Sequence, residues 1–354
     1  MFGFSIYLNE DLKESDYNYI CKMKDFGFEE VFTSLHIPEY DTSLYKKQLI
    51  ALGEVCKKSD IRLTVDISPS ALETIGLSLK NSNEIKQIGI TGIRFDYGFS
   101  MKEIAQLSHE LFVALNASTI MPHHVEVLKA NHANFENMEA WHNYYPRNET
   151  GLSKQFLEEK NSMLKTWGFT TMAFVPGDRL IRGPVYSGLP TLEKHRGHHS
   201  LSSAIELLTD TSTDKVFIGD PRLSKETMKQ FQAFLKEKTI LLFGTMLDHA
   251  PNYITNNFHN RCDVARDVVR LEEARSLVTG TIQPQNIIAR EKGSITIDNF
   301  NYGRYMGEIQ ITKNDLPSDP RVNVIGGIRK EDFELLPLIG PGQKIMIKEL
   351  NGWI

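Results

Sequence analysis

The feature that most constrains this chain is a unit that recurs from its first residues: a short apolar strand followed by an amphipathic helix. The strands read as Gly3–Leu8, Val31–Leu35, Ile61–Ile67, Gly92–Tyr97, Leu111–Asn116, Glu139–Tyr145, Phe169–Val175 and Lys215–Gly219. Helical stretches between them include Asp11–Phe26, Leu44–Ser59, Ser70–Ile88 and Ser153–Trp167, with buried faces marked by apolar residues three and four apart. Gly27, Gly89 and Gly168 stop helices shortly before the next strand. Strands joined by helical crossovers pair in parallel, and eight such units are the number that closes a (β/α)8 barrel. An open doubly wound sheet is the alternative, but no glycine-rich phosphate loop follows an early strand.

After Glu237 the helical signal fades. Turn-bounded runs appear at Thr239–Met246, Ser294–Asp298, Gly307–Thr312, Val322–Ile328 and Lys344–Leu350, punctuated by prolines and glycines. The expectation is an α/β chain: a TIM barrel over 1–238, then a small β-rich domain, a compact β-barrel, over 239–354.

With 41% hydrophobic and 24% charged residues the chain is an ordinary globular protein. A formal net charge of -5 gives no broad basic surface, so nucleic acid is not an expected partner. The N-terminus lacks the basic region of a signal peptide, and no apolar run is long enough to insert in a membrane. Cys21, Cys56 and Cys262 are odd in number and far apart, which argues against a disulfide framework; Cys21 and Cys56 read as inert core thiols. A cytoplasmic location is expected, and a homo-oligomer is compatible with the sequence.

In a (β/α)8 barrel the chemistry sits at the C-terminal strand ends and the loops that follow. Those ends supply Asn9 and Glu10, His36 and Glu39, Asp66 and Ser68, Arg94 and Asp96, and Asn116. Later ends supply His142, Asn143, Arg147 and Glu149, then Asp178 and Arg179, then Asp220 and Arg222. Several carboxylates around one mouth suit glycoside hydrolysis, which needs a protonated acid and an ionised carboxylate. Each one alone is also explained by a rim salt bridge or helix cap. The loop after the seventh strand, Pro176 to about Ser200, carries Arg179, Arg182, Lys194, His195 and Arg196 among glycines, a composition suited to a phosphate or to a solvated lid. Neither His195-x-x-His198-His199 nor His123-His124 has metal-site spacing, and no metal or cofactor is expected. Trp141, Tyr144, Tyr145 and Tyr97 suit either stacking on a sugar or core packing.

The strand ends also form an ordered series of motifs: Ser5-Ile6-Tyr7, Asp66-Ile67-Ser68-Pro69, Gly92-Ile93-Arg94-Phe95-Asp96-Tyr97-Gly98-Phe99, and His142-Asn143-Tyr144-Tyr145-Pro146-Arg147-Asn148-Glu149-Thr150-Gly151. Gly188-Leu189-Pro190-Thr191-Leu192-Glu193-Lys194-His195-Arg196 and Ile218-Gly219-Asp220-Pro221 follow. Beyond the barrel come Asp263-Val264-Ala265-Arg266-Asp267, Gly293-Ser294-Ile295-Thr296-Ile297-Asp298-Asn299 and Tyr302-Gly303-Arg304-Tyr305. The series resembles the bacterial 6-phospho-N-acetylmuramidase family over almost the whole chain. This chain reads Tyr7-Leu8-Asn9-Glu10 where the family's first motif is Tyr-Pro-Glu.

The resemblance implies a (β/α)8 barrel with a cyclophilin-like β domain. It also implies a cytoplasmic hydrolase of peptidoglycan recycling that splits 6-phospho-N-acetylmuramyl-N-acetylglucosamine into N-acetylmuramic acid 6-phosphate and N-acetylglucosamine. On that footing Asp96 and Glu149 are the favoured catalytic pair, with Asp66 and Glu10 as substitutes; attack by the substrate's own acetamide is a further route. Arg94, Asn116, His142, Asn143, Tyr144 and Asp220 would position the sugar. Arg147, Arg182 or Arg196, with His195 beside them, would meet the phosphate or the lactyl carboxylate. The rivals are a phosphosugar isomerase or aldolase on the same barrel, the latter needing a strand-borne lysine such as Lys215, and a phosphosugar-binding regulator.

Overall fold

The computed structural model describes residues 1–35, 44–96 and 98–350. Tyr97, His36 and Glu39 therefore lie outside the described residues. The chain divides into two compact units, Met1–Ser224 and Lys225–Ile354.

In the first unit, β1 (Phe2–Ser5), β2 (Glu30–Ser34), β3 (Arg62–Ile67), β4 (Gly92–Phe95), β5 (Phe112–Asn116), β6 (Met138–Trp141), β7 (Thr170–Val175) and β8 (Lys215–Ile218) close a parallel barrel in sequence order. The helices are α1 (Glu14–Asp25), α2 (Tyr45–Lys58), α3 (Pro69–Ile75), α4 (Ser82–Gln87), α5 (Met101–Leu107), α6 (Pro122–Ala130), α7 (Lys154–Thr166) and α8 (Ser200–Asp210). All eight expected strands form. The helix expected over Ser70–Ile88 is two: Gly76 at φ 63 ends α3, and the Asn81 side chain caps α4 by accepting from Glu84 N. Cys56 is buried as expected, but Cys21 is exposed. The buried face of α1 runs through Tyr19, Ile20 and Met23, and one residue past Ile20 is a turn of about 100° away from it.

Side chains alternate in and out of a strand, so every second residue enters the barrel. The floor is ionic. Glu30 opens β2, Lys215 opens β8 and Glu139 lies near the start of β6; all three are buried. Lys215 donates to Glu30 (3.2 Å) and to Glu139. Thr64 and Arg62 also donate to Glu30, at 2.6 and 2.7 Å, and Trp141 Nε1 to Glu139 at 2.7 Å. Two residues further along the strands Phe32, Trp141 and Phe217 form an aromatic plug with Phe174, Met172 and Ala114. Trp141 is thus core, not a sugar platform. Above the plug the inward positions turn polar, and that is the mouth.

The second unit begins with α9 (Lys225–Glu237), whose Gln230 donates to Leu241 O on β9 (Ile240–Met246) at 3.0 Å. The remaining strands are β10 (Asn257–His259), β11 (Val268–Leu271), β12 (Ser294–Asp298), β13 (Ile309–Thr312), β14 (Val322–Ile328) and β15 (Lys344–Glu349). They form a mixed sheet ordered β10-β15-β9-β14-β12-β13-β11, in which only the β15–β9 pairing is parallel. Its two edges meet, because Glu272 N donates to His259 O (2.9 Å) and Arg261 N to Arg270 O (3.1 Å).

Candidate active site

The polar groups above the plug come from consecutive strand ends and converge on Arg94. Its Nη1 donates to Asp66 Oδ1 at 2.7 Å and lies 3.8 Å from Asp96 Oδ1; its Nη2 donates to Asn143 Oδ1 at 2.5 Å. Ser34 Oγ donates to the other oxygen of Asp66 (2.9 Å), and Asn116 Nδ2 donates to Asp96 Oδ1 (2.9 Å). Burial alone would discourage a charge on Arg94, but the two carboxylates outweigh it and hold the guanidinium protonated more firmly than usual. Both oxygens of Asp66 are committed to side chains of this cluster, and its side chain is 11% exposed. Asp96 is more open, at 28%, and among contacts between described residues its Oδ2 is uncommitted.

Asp96 and Asn116 also line a cavity of about 250 Å³ with Phe95, Phe99, Ile120 and His124.

A second wall of the mouth is made by two tyrosines and an arginine. Tyr7 donates its hydroxyl to Gly219 O (2.6 Å), Arg182 Nη1 donates to Tyr144 OH (2.8 Å), and the Arg182 guanidinium lies 4.3 Å from the Tyr7 ring centre. Burial pushes both phenols above their usual range, so they stay neutral hydrogen-bonding groups. Tyr7, Glu10, Arg182, Gly183, Tyr186 and Arg222 face a cavity of about 240 Å³.

The long loop after β7 reaches this wall because Asp220 holds it. The buried Asp220 carboxylate accepts from Gly177 N (2.9 Å), Leu189 N (3.0 Å) and Arg182 N (3.1 Å). Burial raises its pKa, opposed by those three amides. Arg196 fastens the other end: it pairs with Glu193 (2.7 Å) and donates to the carbonyls of Ser187, Gly188, Tyr145 and Arg147. Arg196 in turn holds Glu193 at about 2, and Glu193 accepts from the amides of Glu149 (2.9 Å) and Gly151 (2.8 Å). A cavity of about 500 Å³ lies between these loops, lined by Asn148, Gly188, Arg196 and His198.

The structure therefore brings together Asp66, Arg94, Asp96, Asn116 and Asn143, with Tyr144 and Arg182 on the adjoining wall. Asp220 and Arg196 act on backbone groups of the loops. His195 is buried against Glu206 of α8 (3.1 Å), and burial lowers its pKa. His142 projects away from the barrel axis, its Nε2 meeting Asn161 of α7 at 2.8 Å. Glu10 is exposed and paired with Lys13 (2.8 Å), and Arg147 is exposed. Glu149 is exposed too, held at φ 64 by the Glu193 contact. The histidine runs have structural partners: His199 Nδ1 accepts from Leu201 N and Ser202 N at the start of α8, and His124 Nδ1 accepts from Met121 N. Strand order did not single out Ser34 and Tyr7, although both share the inward parity of their strands.

His142 carries a pH prediction. Burial lowers its pKa to about 4 from 6.5, so below pH 6.5 the unfolded chain takes up a proton that the folded chain refuses. Stability should then fall as pH drops from about 6.5 to 4, by about 3 kcal/mol from this group. Urea unfolding at pH 7 and pH 4 should show that difference shrink in His142→Gln; an unchanged difference would contradict it.

Fold and site together define a (β/α)8-barrel protein with a carboxylate-bearing pocket where enzymes on this fold carry out their reactions. The chain belongs to the 6-phospho-N-acetylmuramidase family. The N-terminal part of that family matches residues 2–233 and its C-terminal part residues 245–348, so the family is one of glycoside hydrolases by name. Among solved structures the chain is similar to a conserved Enterococcus faecalis protein of unknown function, with 43% identity over 99% of this chain and 97% of that one and a TM-score of 0.89. An uncharacterised B. cereus protein is 25% identical over 98% of this chain and 99% of that one, with a TM-score of 0.72. No curated protein matches the chain. Among the described residues no helix is long and apolar enough to cross a membrane.

Proposed function

We propose that the barrel mouth hydrolyses the glycosidic bond of 6-phospho-N-acetylmuramyl-N-acetylglucosamine, releasing N-acetylglucosamine and N-acetylmuramic acid 6-phosphate, in the cytoplasm. The observation that carries this reading is the Arg94-centred cluster, in a chain of this family, with Asp96 as its accessible carboxylate. Asn116 and Arg94 fix one oxygen of Asp96 and leave the other to act at the anomeric carbon, as nucleophile or as the group that orients the substrate's acetamide. Glu149 supplies the proton to the departing oxygen; its positive φ, in a loop pinned by Glu193, is the kind of local strain that clusters at working sites. Asp66 keeps Arg94 in place, and Asn143 and Tyr144 align the ring.

Arg182 is assigned to the phosphate. It lines the mouth cavity beside Gly183 and Arg222, lies over the Tyr7 ring and donates to Tyr144, and a guanidinium matches a phosphate in a bidentate way. The catalytic domain is assigned to residues 1–238 and the β domain to residues 239–354. An aldolase reading loses its lysine, because Lys215 is locked into the barrel floor at the end opposite the mouth.

The test is the release of N-acetylglucosamine from the disaccharide with and without its 6-phosphate. Turnover should be confined largely to the phosphorylated form, and Arg182→Ala should raise its KM by about tenfold or more while kcat changes less. No release from the phosphorylated form would sink the hydrolase reading. Equal kinetics on both forms would remove Arg182 from the phosphate.

A further inference from the structure

The second unit contains a cavity of about 310 Å³ that the barrel chemistry does not use. That volume is at the small end of ligand pockets, which run about 300–1,000 Å³. One wall is a segment with an unusual composition. From Ser276 to Ala289, between Arg275 and Arg290, there is no charged residue, in a chain that is 24% charged. Much of this segment is exposed, including Ile287 and Ile288, at 39% and 50%. An exposed stretch that avoids charge and displays isoleucines is uncommon on a surface that meets only water.

The segment is also fixed in place. Phe300 N donates to Ile282 O (2.9 Å) at one point. Further on, the buried Asn323 accepts from Gln285 N (3.0 Å) and donates to Gln283 O (2.8 Å), itself oriented by Asn299 Nδ2 (2.8 Å). Asn286 adds a bond from its side chain to Val324 O (2.8 Å). Buried amides that spend their hydrogen bonds on a neutral strap build a wall of defined shape.

What the cavity presents is neutral on every side. Thr279, Thr281, Gln283 and Gln285 offer hydroxyl and amide groups that both donate and accept. Ile282, Ile297, Ile325 and the ring of Tyr253 offer apolar faces. His249 donates its Nε2 proton to Val324 O at 3.1 Å. Among the described residues no lysine, arginine, aspartate or glutamate lines the cavity, so an anionic ligand would find no counter-charge from them. A pyranose ring has an apolar C–H face for Tyr253 and the isoleucines, and hydroxyls for the threonines and glutamines; an acetamido group matches the amides.

We propose that this cavity binds an uncharged N-acylated hexose, with N-acetylglucosamine as its simplest member. The site is built wholly from the second unit and does not depend on hydrolysis at the barrel. Titration of the full chain with N-acetylglucosamine, read by calorimetry and saturation-transfer NMR, tests it. The sugar should bind equally to the wild type and to Asp96→Asn. Thr281→Lys, which places a long charged side chain at an exposed wall position, and Gln283→Ala should each weaken binding by about tenfold or more. N-acetylglucosamine 6-phosphate should bind more weakly than the neutral sugar. Absence of binding to the wild type would overturn the proposal, as would binding that survives both strap variants or disappears in Asp96→Asn.

Discussion

Asp96→Asn should lower kcat on the phosphorylated muramyl disaccharide by roughly 10²–10⁴-fold with no change in thermal stability beyond a small increment. Asparagine keeps the size of the side chain and can still accept from Asn116, so the fold of the mouth survives. What it removes is the negative oxygen proposed to act on the sugar. Glu149→Gln should behave differently, because the role proposed for it is to protonate the leaving group. Its defect should be large on the natural disaccharide and small on an aryl glycoside whose leaving group departs without help. Near-normal turnover in Asp96→Asn would displace Asp96 from the reaction, and equal defects on both substrates would displace Glu149 from the acid role.

The largest expected effect on stability is at the other end of the barrel. Lys215→Met deletes the cation between Glu30 and Glu139, both of them nearly inaccessible to water. Glu30 retains Arg62 and Thr64, but among the described residues Glu139 is left with the Trp141 N–H alone, and burial already pushes its carboxyl upward. Removing one partner of a buried pair costs about 3–5 kcal/mol, a large fraction of the about 5–15 kcal/mol that holds a domain together. Urea unfolding should show this loss. Adding Glu139→Gln to Lys215→Met should recover part of it, since the neutral amide can still accept from Trp141 without the charge. A loss below about 1 kcal/mol, or no recovery in the double variant, would mean that the floor network is better solvated than its burial indicates.

The barrel was legible in the sequence because its signal is periodic. Eight apolar strands separated by amphipathic helices admit few architectures, and all eight strands formed. The inward cluster was partly legible for the same reason. Arg94 and Asp96 share a parity along one strand, so an alternating strand sends both to the same side. The same rule separates His142 from Asn143, and it places Asn143 on Arg94 and His142 on Asn161 behind the barrel wall. Residue type without parity made the histidine look like a ligand.

What could not be read were residues whose partners are backbone groups far away in the chain. Asp220 and Arg196 have the chemistry of substrate contacts, yet they fasten loops through the amides of Gly177, Arg182 and Leu189 and the carbonyls of Tyr145 and Gly188. No spacing rule foretells such pairings. His195 was hidden likewise, since Glu206 meets it only once α8 is packed. The break between α3 and α4 was available in principle, because Gly76 and Asn81 are a helix stop and a helix start, but apolar periodicity continues across them.

A crystal structure of the Asp96→Asn protein with the intact phosphorylated disaccharide would show most directly where the sugar lies. The anomeric carbon of the muramyl residue, or its acetamido group, is expected within about 3–3.5 Å of the residue-96 side chain, and the phosphate against Arg182. A disaccharide seated with its scissile bond away from residue 96, or with its phosphate remote from Arg182, would contradict it.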